Sequence, residues 1–163
     1  MKKVTDMKIT KDTTLSELMQ EYEKSGGFTS KKLAEGVSIM GDVLKCDIRF
    51  LSFPAAIIST GTRGIIKELA RKKMFDIVIT TCGTLDHDFA RCFQDYYHGS
   101  FEADDIQLHK KGINRLGNIF IPNKSYGEII ENKLQPMLAD MYAKGARRLS
   151  TYEFCWEIGS RID

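Results

Sequence analysis

Two short runs dense in aromatic and β-branched residues, Asp47–Phe53 and Phe75–Thr81, are each followed within a few residues by a helical pattern. This alternation constrains the fold more than any other feature. Strand, helix, strand and helix joined by short connections read as a right-handed βαβ unit, because parallel strands need a crossover between them. The helices of this unit are predicted over Thr62–Lys73, opened by Ser59-Thr60-Gly61, and over Leu85–Tyr96. The expected fold class is α/β, with a parallel sheet flanked by helices.

The flanking segments are helical. Leu15, Leu18, Met19 and Tyr22 recur at helical spacing over Thr14–Lys24, with Thr13 or Thr14 placed to cap. A second helix is predicted over Ser30–Leu44, N-capped by Thr29, with Leu33, Val37, Met40 and Leu44 on one face and Gly36 and Gly41 weakening it. Residues 1–45 thus form an N-terminal helical segment and 46–163 the α/β region. Tyr97–Gly117 reads as a polar loop with one short element, and Asn118–Pro122 as a third strand. Ser125–Lys144 is a long helix kinked at Pro136 and stopped by Gly145. A last helix starts at Thr151 and still follows its pattern at Asp163. Three strands are few for a doubly wound domain, so the expected sheet is incomplete at the C-terminus.

The 163 residues carry 24 basic and 22 acidic side chains, a balance that gives no electrostatic case for nucleic acid. No apolar run reaches the roughly 20 residues a membrane span needs. Cys46, Cys82, Cys92 and Cys155 form no CxxC pair, so no metal site is expected. They suit packing roles in a reducing cytoplasm.

In open parallel sheets, ligands bind at the carboxyl ends of the strands. Ala55, Ala56, Ile57, Ile58 and Ser59 follow the first strand; Thr81, Cys82 and Gly83 follow the second. Small residues there permit close approach to backbone, hydroxyls of Ser59, Thr60, Thr80, Thr81 and Thr84 are available, and a helix N-terminus favours phosphate. The same residues also suit two ordinary strand-to-helix loops, and GxGxxG is absent. Asp86-His87-Asp88 is the densest ionisable cluster. It is suited to bind an ammonium group or shuttle protons, or to complement the helix dipole. His98 and His109 read as surface residues.

Ile58-Ser59-Thr60-Gly61-Thr62-Arg63, Val78-Ile79-Thr80-Thr81-Cys82-Gly83, His87-Asp88 and Gly112-Ile113-Asn114-Arg115-Leu116-Gly117-Asn118 occur in order. They resemble deoxyhypusine synthases, particularly archaeal and bacterial-type members. The resemblance runs over Phe28–Asp163 and implies about the front half of such a protein. It implies a Rossmann-like NAD-binding domain, a homotetramer, and transfer of the aminobutyl group of spermidine to a lysine of the hypusine-bearing translation factor precursor. It places NAD at Ala55–Ser59, at Thr81, Cys82 and Gly83, and at His87. It places the polyamine at Asp86 and His87, two positions that are commonly both glutamate in eukaryotic members.

The nucleophilic lysine is expected in a Trp-Gly-Lys setting, which this sequence lacks; Lys144 is its last lysine. No catalytic residue is therefore assigned, and the chain by itself is expected to be inactive. Two rival readings stand beside the fragment of an enzyme. One is a non-catalytic or split subunit that works with a partner chain. The other is a related enzyme acting on a different amine, since His87 supplies no fixed negative charge.

Overall fold

The computed structural model describes residues 1–162. Its helices are α1 (Leu15–Ser25), α2 (Phe28–Val43), α3 (Thr62–Arg71), α4 (Gly83–Ala90), α5 (Asp105–Lys110), α6 (Gly127–Ala143) and α7 (Thr151–Gly159). Its strands are β1 (Phe50–Phe53), β2 (Ile77–Thr80), β3 (Tyr97–His98), β4 (Ile113–Leu116) and β5 (Ile119–Pro122). Single 3-10 turns occupy Ala55–Ser59 and Asn123–Ser125. The chain divides into two compact units, Met1–Phe50 with Lys73–Ile77, and Leu51–Lys72 with Val78–Asp163.

The first unit is a helical hairpin. Thr14 caps α1: its hydroxyl accepts the Glu17 N–H, and the Glu17 carboxylate accepts the Thr14 N–H at 2.8 Å. This reciprocal pair satisfies two of the donors a helix start leaves open. Gly26, at φ +64°, ends the helix. Helix α2 starts at Phe28 after Gly27, earlier than Ser30, so Thr29 lies inside the helix and does not cap it. It passes through Gly36 and Gly41 without interruption. The Arg49 guanidinium donates to both Asp76 oxygens, at 3.0 and 3.3 Å, fastening the approaches to β1 and β2.

Strands β1 and β2 make a two-stranded parallel sheet with α3 as the crossover. The third predicted strand does not join it. Residues 119–122 form β5, the middle strand of a separate antiparallel sheet in the order β3-β5-β4. The stretch expected to be a loop supplies the rest of that sheet. Leu116 faces Ile119 across a two-residue Gly117-Asn118 turn. Gly117 has φ +62° there, and no such φ occurs at Asn118, the signature of a type II′ hairpin. Gly112, at φ +67°, stops α5 just before β4 begins. Arg115 then clamps Asp105 through Nε and Nη2 at 2.6 and 2.7 Å.

Helix α4 is also shorter than expected, ending at Ala90 instead of Tyr96. The reason is tertiary: Tyr97 and His98 pair with Phe120 and Ile119, so the chain must leave the helix to become extended. Phe89, Met141 and Ile158 form the buried centre where α4, α6 and α7 meet, flanked by Ile130, Leu134 and Phe154. Helix α6 contains Pro136 in its interior and continues past it. Cys46, Cys82 and Cys92 are exposed and only Cys155 is half-buried, so three of the four thiols are not the packing residues expected. All three lie in bends and turns beside helix ends, where the described residues leave them uncovered. Among the described residues, no helix is long and apolar enough to cross a membrane.

Gly99 shows how tightly the small sheet is assembled. A Cβ at this position would run into the Phe120 ring. Gly99→Ala is expected to lower stability by about 1–3 kcal/mol, as overpacking does. Nothing lies within 4 Å of a Cβ at Gly36, so Gly36→Ala is expected to raise stability by about 0.5–1 kcal/mol. Urea unfolding of both variants reads the two opposite signs.

Candidate functional site

The two loops at the carboxyl ends of β1 and β2 lie side by side. Ala55 donates its N–H to Thr81 Oγ1 at 3.2 Å, and Thr80 Oγ1 donates to the Phe53 carbonyl at 2.8 Å. Thr80 and Thr84 hydroxyls are paired at 2.6 Å. Ser59 Oγ turns back to the Ala56 carbonyl at 2.7 Å, and Thr60 Oγ1 to that of Ile57 at the same distance. The hydroxyls expected to face a ligand are therefore all used in building the loops. Ile58 and Ser59 are buried, whereas Ala56, Thr81 and Cys82 are exposed and Ala55, Ile57 and Gly83 half-buried.

Gly83 has a defined steric role. A Cβ there would lie 3.0 Å from the Ala55 side chain, so this glycine lets the two loops touch. Its small size serves loop-to-loop packing before it serves any ligand.

Successive residues on a helix point about 100° apart, and Asp86, His87 and Asp88 accordingly find three different settings. Asp88 is held by Arg63 of α3, with Nε at 2.6 Å. Asp86 accepts from the Tyr126 hydroxyl at 3.2 Å. It also lines both an apolar cavity of about 230 Å³, with Leu85, Phe89, Leu134 and Phe154, and a neighbouring one of about 290 Å³. His87 Nδ1 lies 2.9 Å from Tyr96 Oη, and its ring centroid is 5.1 Å from that of Tyr126. No side-chain cap bond occurs at the start of α4.

Burial holds the His87 imidazole below its ordinary range; the Asp86 carboxylate opposes this and the Arg91 guanidinium reinforces it. Burial pushes Tyr126 up, and the nearby Asp86 charge pushes it further. Both groups are thus kept neutral beside one carboxylate.

Three residues of this site escaped the sequence reading: Arg91, Tyr96 and Tyr126. One Arg91 nitrogen, Nη1, donates to the Ile58 carbonyl at 2.7 Å and the Thr60 carbonyl at 2.6 Å. Its guanidinium also lies 5.7 Å from the Tyr96 ring centroid. Arg91 sits four residues after His87, one helical turn on, which was the only available signal. Tyr126 is 40 positions from Asp86, and no local spacing reveals such a contact. His98 and His109 are exposed. Among the described residues, no group of three or more His, Cys, Asp or Glu side chains is placed to hold a metal ion.

The sequence profile of the family Deoxyhypusine synthase matches residues 17–163. A probable deoxyhypusine synthase of Picrophilus torridus is 53% identical over 161 residues, covering 98% of this chain and 51% of the relative. One of Thermoplasma acidophilum is 48% identical over 161 residues, covering 98% and 52%. One of Ignicoccus hospitalis is 41% identical over 161 residues, covering 98% and 50%. The chain belongs to the deoxyhypusine synthase family. It spans about half the length of the curated relatives it matches. The block that most marks the deoxyhypusine synthase resemblance, Gly112–Asn118, is in this structure the α5 stop, strand β4 and the II′ turn.

Two outcomes follow from this geometry. Gly83→Ala is expected to cost about 1 kcal/mol by pressing on Ala55, and adding Ala55→Gly to recover most of it, read as urea midpoints. The second concerns pH. The unfolded His87 has a pKa near 6.5, above its folded value. As pH falls through about 6.5 the unfolded state takes up the proton first, so stability is lost on acidification. His87→Gln is expected to flatten the fall of Tm between about pH 7 and 5.5, above the range where carboxylates titrate.

Proposed function

We propose that this chain forms the loops that receive NAD and an amine in a deoxyhypusine synthase. The complete enzyme is a transferase that moves the aminobutyl group of spermidine to a lysine of the hypusine-bearing translation factor precursor. On this reading, β1, α3 and β2 are the first βαβ unit of a Rossmann-like domain, and the working protein is a cytoplasmic homotetramer. The observation that carries the proposal is the setting of Asp86, in the wall of an apolar cavity and beside the loops that end β1 and β2. A carboxylate at the edge of an apolar cavity is complementary to an alkylammonium ion: the methylenes gain burial and the charge gains a partner.

The residues present fit a dinucleotide. Two parallel strands end in small residues, Ala55, Ala56 and Gly83, and Thr81 and Cys82 are exposed at the start of α4. The positive end of the α4 dipole favours the negatively charged part of the cofactor, although the Thr84, Leu85 and Asp86 N–H groups already donate to the Thr81 and Cys82 carbonyls. Ala55–Ser59, Thr81, Cys82, Gly83 and His87 would hold NAD, which when bound takes the hydride that makes the amine an electrophile. Asp86 would orient the amine by its ammonium group, and Tyr126, held neutral, would fix the carboxylate through its hydroxyl. The fold around Phe89 would keep water from the methylene chain.

A second reading, an enzyme for another amine, is favoured by His87 standing uncharged where a second carboxylate is common. The discriminating experiment uses the enzyme completed with the further length its relatives carry. Asp86→Asn removes a charge-assisted bond of about 1.5–3 kcal/mol, so KM for spermidine is expected to rise on the order of tenfold, with KM for NAD changed less. Unchanged spermidine kinetics would remove Asp86 from the amine site. The chain as it stands is expected to place no label from radiolabelled spermidine on the acceptor factor, and label on the acceptor would refute its dependence on a lysine elsewhere.

A further inference from the structure

Tyr96 is the side chain that the structure joins to the His87 ring, Oη to Nδ1 at 2.9 Å. A neutral imidazole has one donor nitrogen and one acceptor nitrogen, and a phenol has a single hydrogen to give. Two assignments of that hydrogen bond are conceivable. In the first, Tyr96 donates to Nδ1, and the half-buried phenol has its hydrogen satisfied. In the second, Nδ1–H donates to Oη, and the phenol hydrogen must find another acceptor. Among the described residues Tyr96 Oη makes no second hydrogen bond. Each assignment leaves one hydrogen without a partner among the described residues, Nε2–H in the first and Oη–H in the second; the first is the stable one because the phenol is the more acidic donor and the imidazole nitrogen the more basic acceptor.

The surroundings support it. The Tyr96 ring meets the imidazole edge-on, with centroids 5.7 Å apart, so the phenol reaches Nδ1 in a fixed orientation. The charged and titratable groups facing His87 are Asp86 on its own helix, Arg91 at the C-cap of that helix, and Tyr96 and Tyr126 from beyond it. Arg91 lies over the Tyr96 ring and is itself fixed by the Ile58 and Thr60 carbonyls. The phenol therefore has a stationary support.

We propose that Tyr96 is a positioning residue that holds His87 as the neutral Nε2–H tautomer, so that His87 offers any ligand a donor and never an acceptor. This deepens the reading of His87 as a ligand contact and rests on it. Its consequence separates two roles that the sequence had merged. An ammonium group is itself only a donor, so Nε2–H does not bind it. The partner of Nε2–H is an acceptor oxygen, as a ribose hydroxyl, a carboxamide or a phosphate supplies. His87 then serves the cofactor side of the site, and recognition of the amine falls to Asp86.

The test needs neither ligand. Long-range proton–nitrogen spectra of the chain labelled with 15N-histidine, recorded above pH 7.5, separate protonated from unprotonated ring nitrogens. His87→Gln identifies the His87 signals among the three histidines. The expected result is an unprotonated Nδ1 and a protonated Nε2 for His87. Tyr96→Phe is expected to shift His87 toward a mixture of tautomers and to move its titration midpoint upward, toward about 6.5, leaving His98 and His109 unchanged. A protonated Nδ1 in the parent chain overturns the proposal, as does an unchanged His87 pattern in the variant. Should Tyr96→Phe fail to fold, the parent spectrum alone decides. A failed spermidine or NAD assay would strike the functional reading and leave this tautomer result intact.

Discussion

One guanidinium nitrogen holds the candidate site together. Arg91 Nη1 donates at once to the carbonyls of Ile58 and Thr60, the last part of the 3-10 turn and the residue that follows it. Those carbonyls stand where the chain passes from β1 into α3, and of the two only that of Thr60 is also given a backbone partner outside the regular elements, the Arg63 N–H at 3.3 Å. Carbonyls in this position must be paired or wetted, and a charged donor satisfies them strongly. The same side chain lies over Tyr96, whose hydroxyl fixes His87. The first loop, α4 and the segment leading into β3 are thus one mechanical unit. Burial lowers the proton affinity of Arg91 and the Arg63 charge lowers it further, yet a guanidinium remains charged under any ordinary condition.

The weakest part of the fold is its coverage. Ile77, Val78 and Ile79 of β2 are 43%, 50% and 56% exposed, on both faces of the strand. A continuous run of β-branched residues is the composition of a parallel strand buried on both sides. Here the composition and the environment disagree. The same mismatch holds for α2, where Leu33, Val37 and Met40 form the helical stripe that the spacing indicates and yet stay exposed. Surfaces of this kind carry a strong drive toward burial. That the curated relatives are about twice as long is in keeping with strands and helices whose sequences are written for more neighbours than this chain provides.

Local rules made much of the fold legible. Thr14 capped α1 as its position suggested, and the change of period at residues 47–53 marked β1 and the crossover after it. The failures share one cause. The length of α4 and the antiparallel sheet depend on pairing between Tyr97-His98 and Ile119-Phe120, more than 20 residues apart, which no window of the sequence displays. The Gly117-Asn118 turn did carry a local signal, since Gly-Asn between apolar residues marks a II′ hairpin. Asn114 and Arg115 of β4 spend their polar side chains on Asn123 and Asp105, so polarity in this stretch does not mark a loop. Asp86 and His87 were found by charge density alone. Tyr126, Tyr96 and Arg91, which decide what those two residues can do, were not found because aromatic and basic residues carry no signature until a fold places them.

The division of work along Asp86, His87 and Asp88 follows from helix geometry and charge together. Asp88 is neutralised by Arg63, whose guanidinium also donates to the Asp88 carbonyl at 3.2 Å. That carboxylate is committed to binding α3 to α4, and it has little attraction left for a mobile cation. His87 is discouraged from protonation by its burial and by Arg91, so it adds no charge of either sign. What remains is Asp86, a single carboxylate whose side-chain partner is a neutral phenol. A hydrogen bond from a neutral group steadies a carboxylate without cancelling its charge, so its field extends into the adjoining apolar cavity, where screening is weaker than in water. Replacing His87 by a carboxylate would put a second negative charge beside Asp86, with Arg91 as the nearby cation. On the reading proposed above, the neutral histidine leaves Asp86 as the carboxylate at this wall without an ion pair among the described residues, and such a wall suits a cation that presents one ammonium to it and aliphatic carbon to the rest.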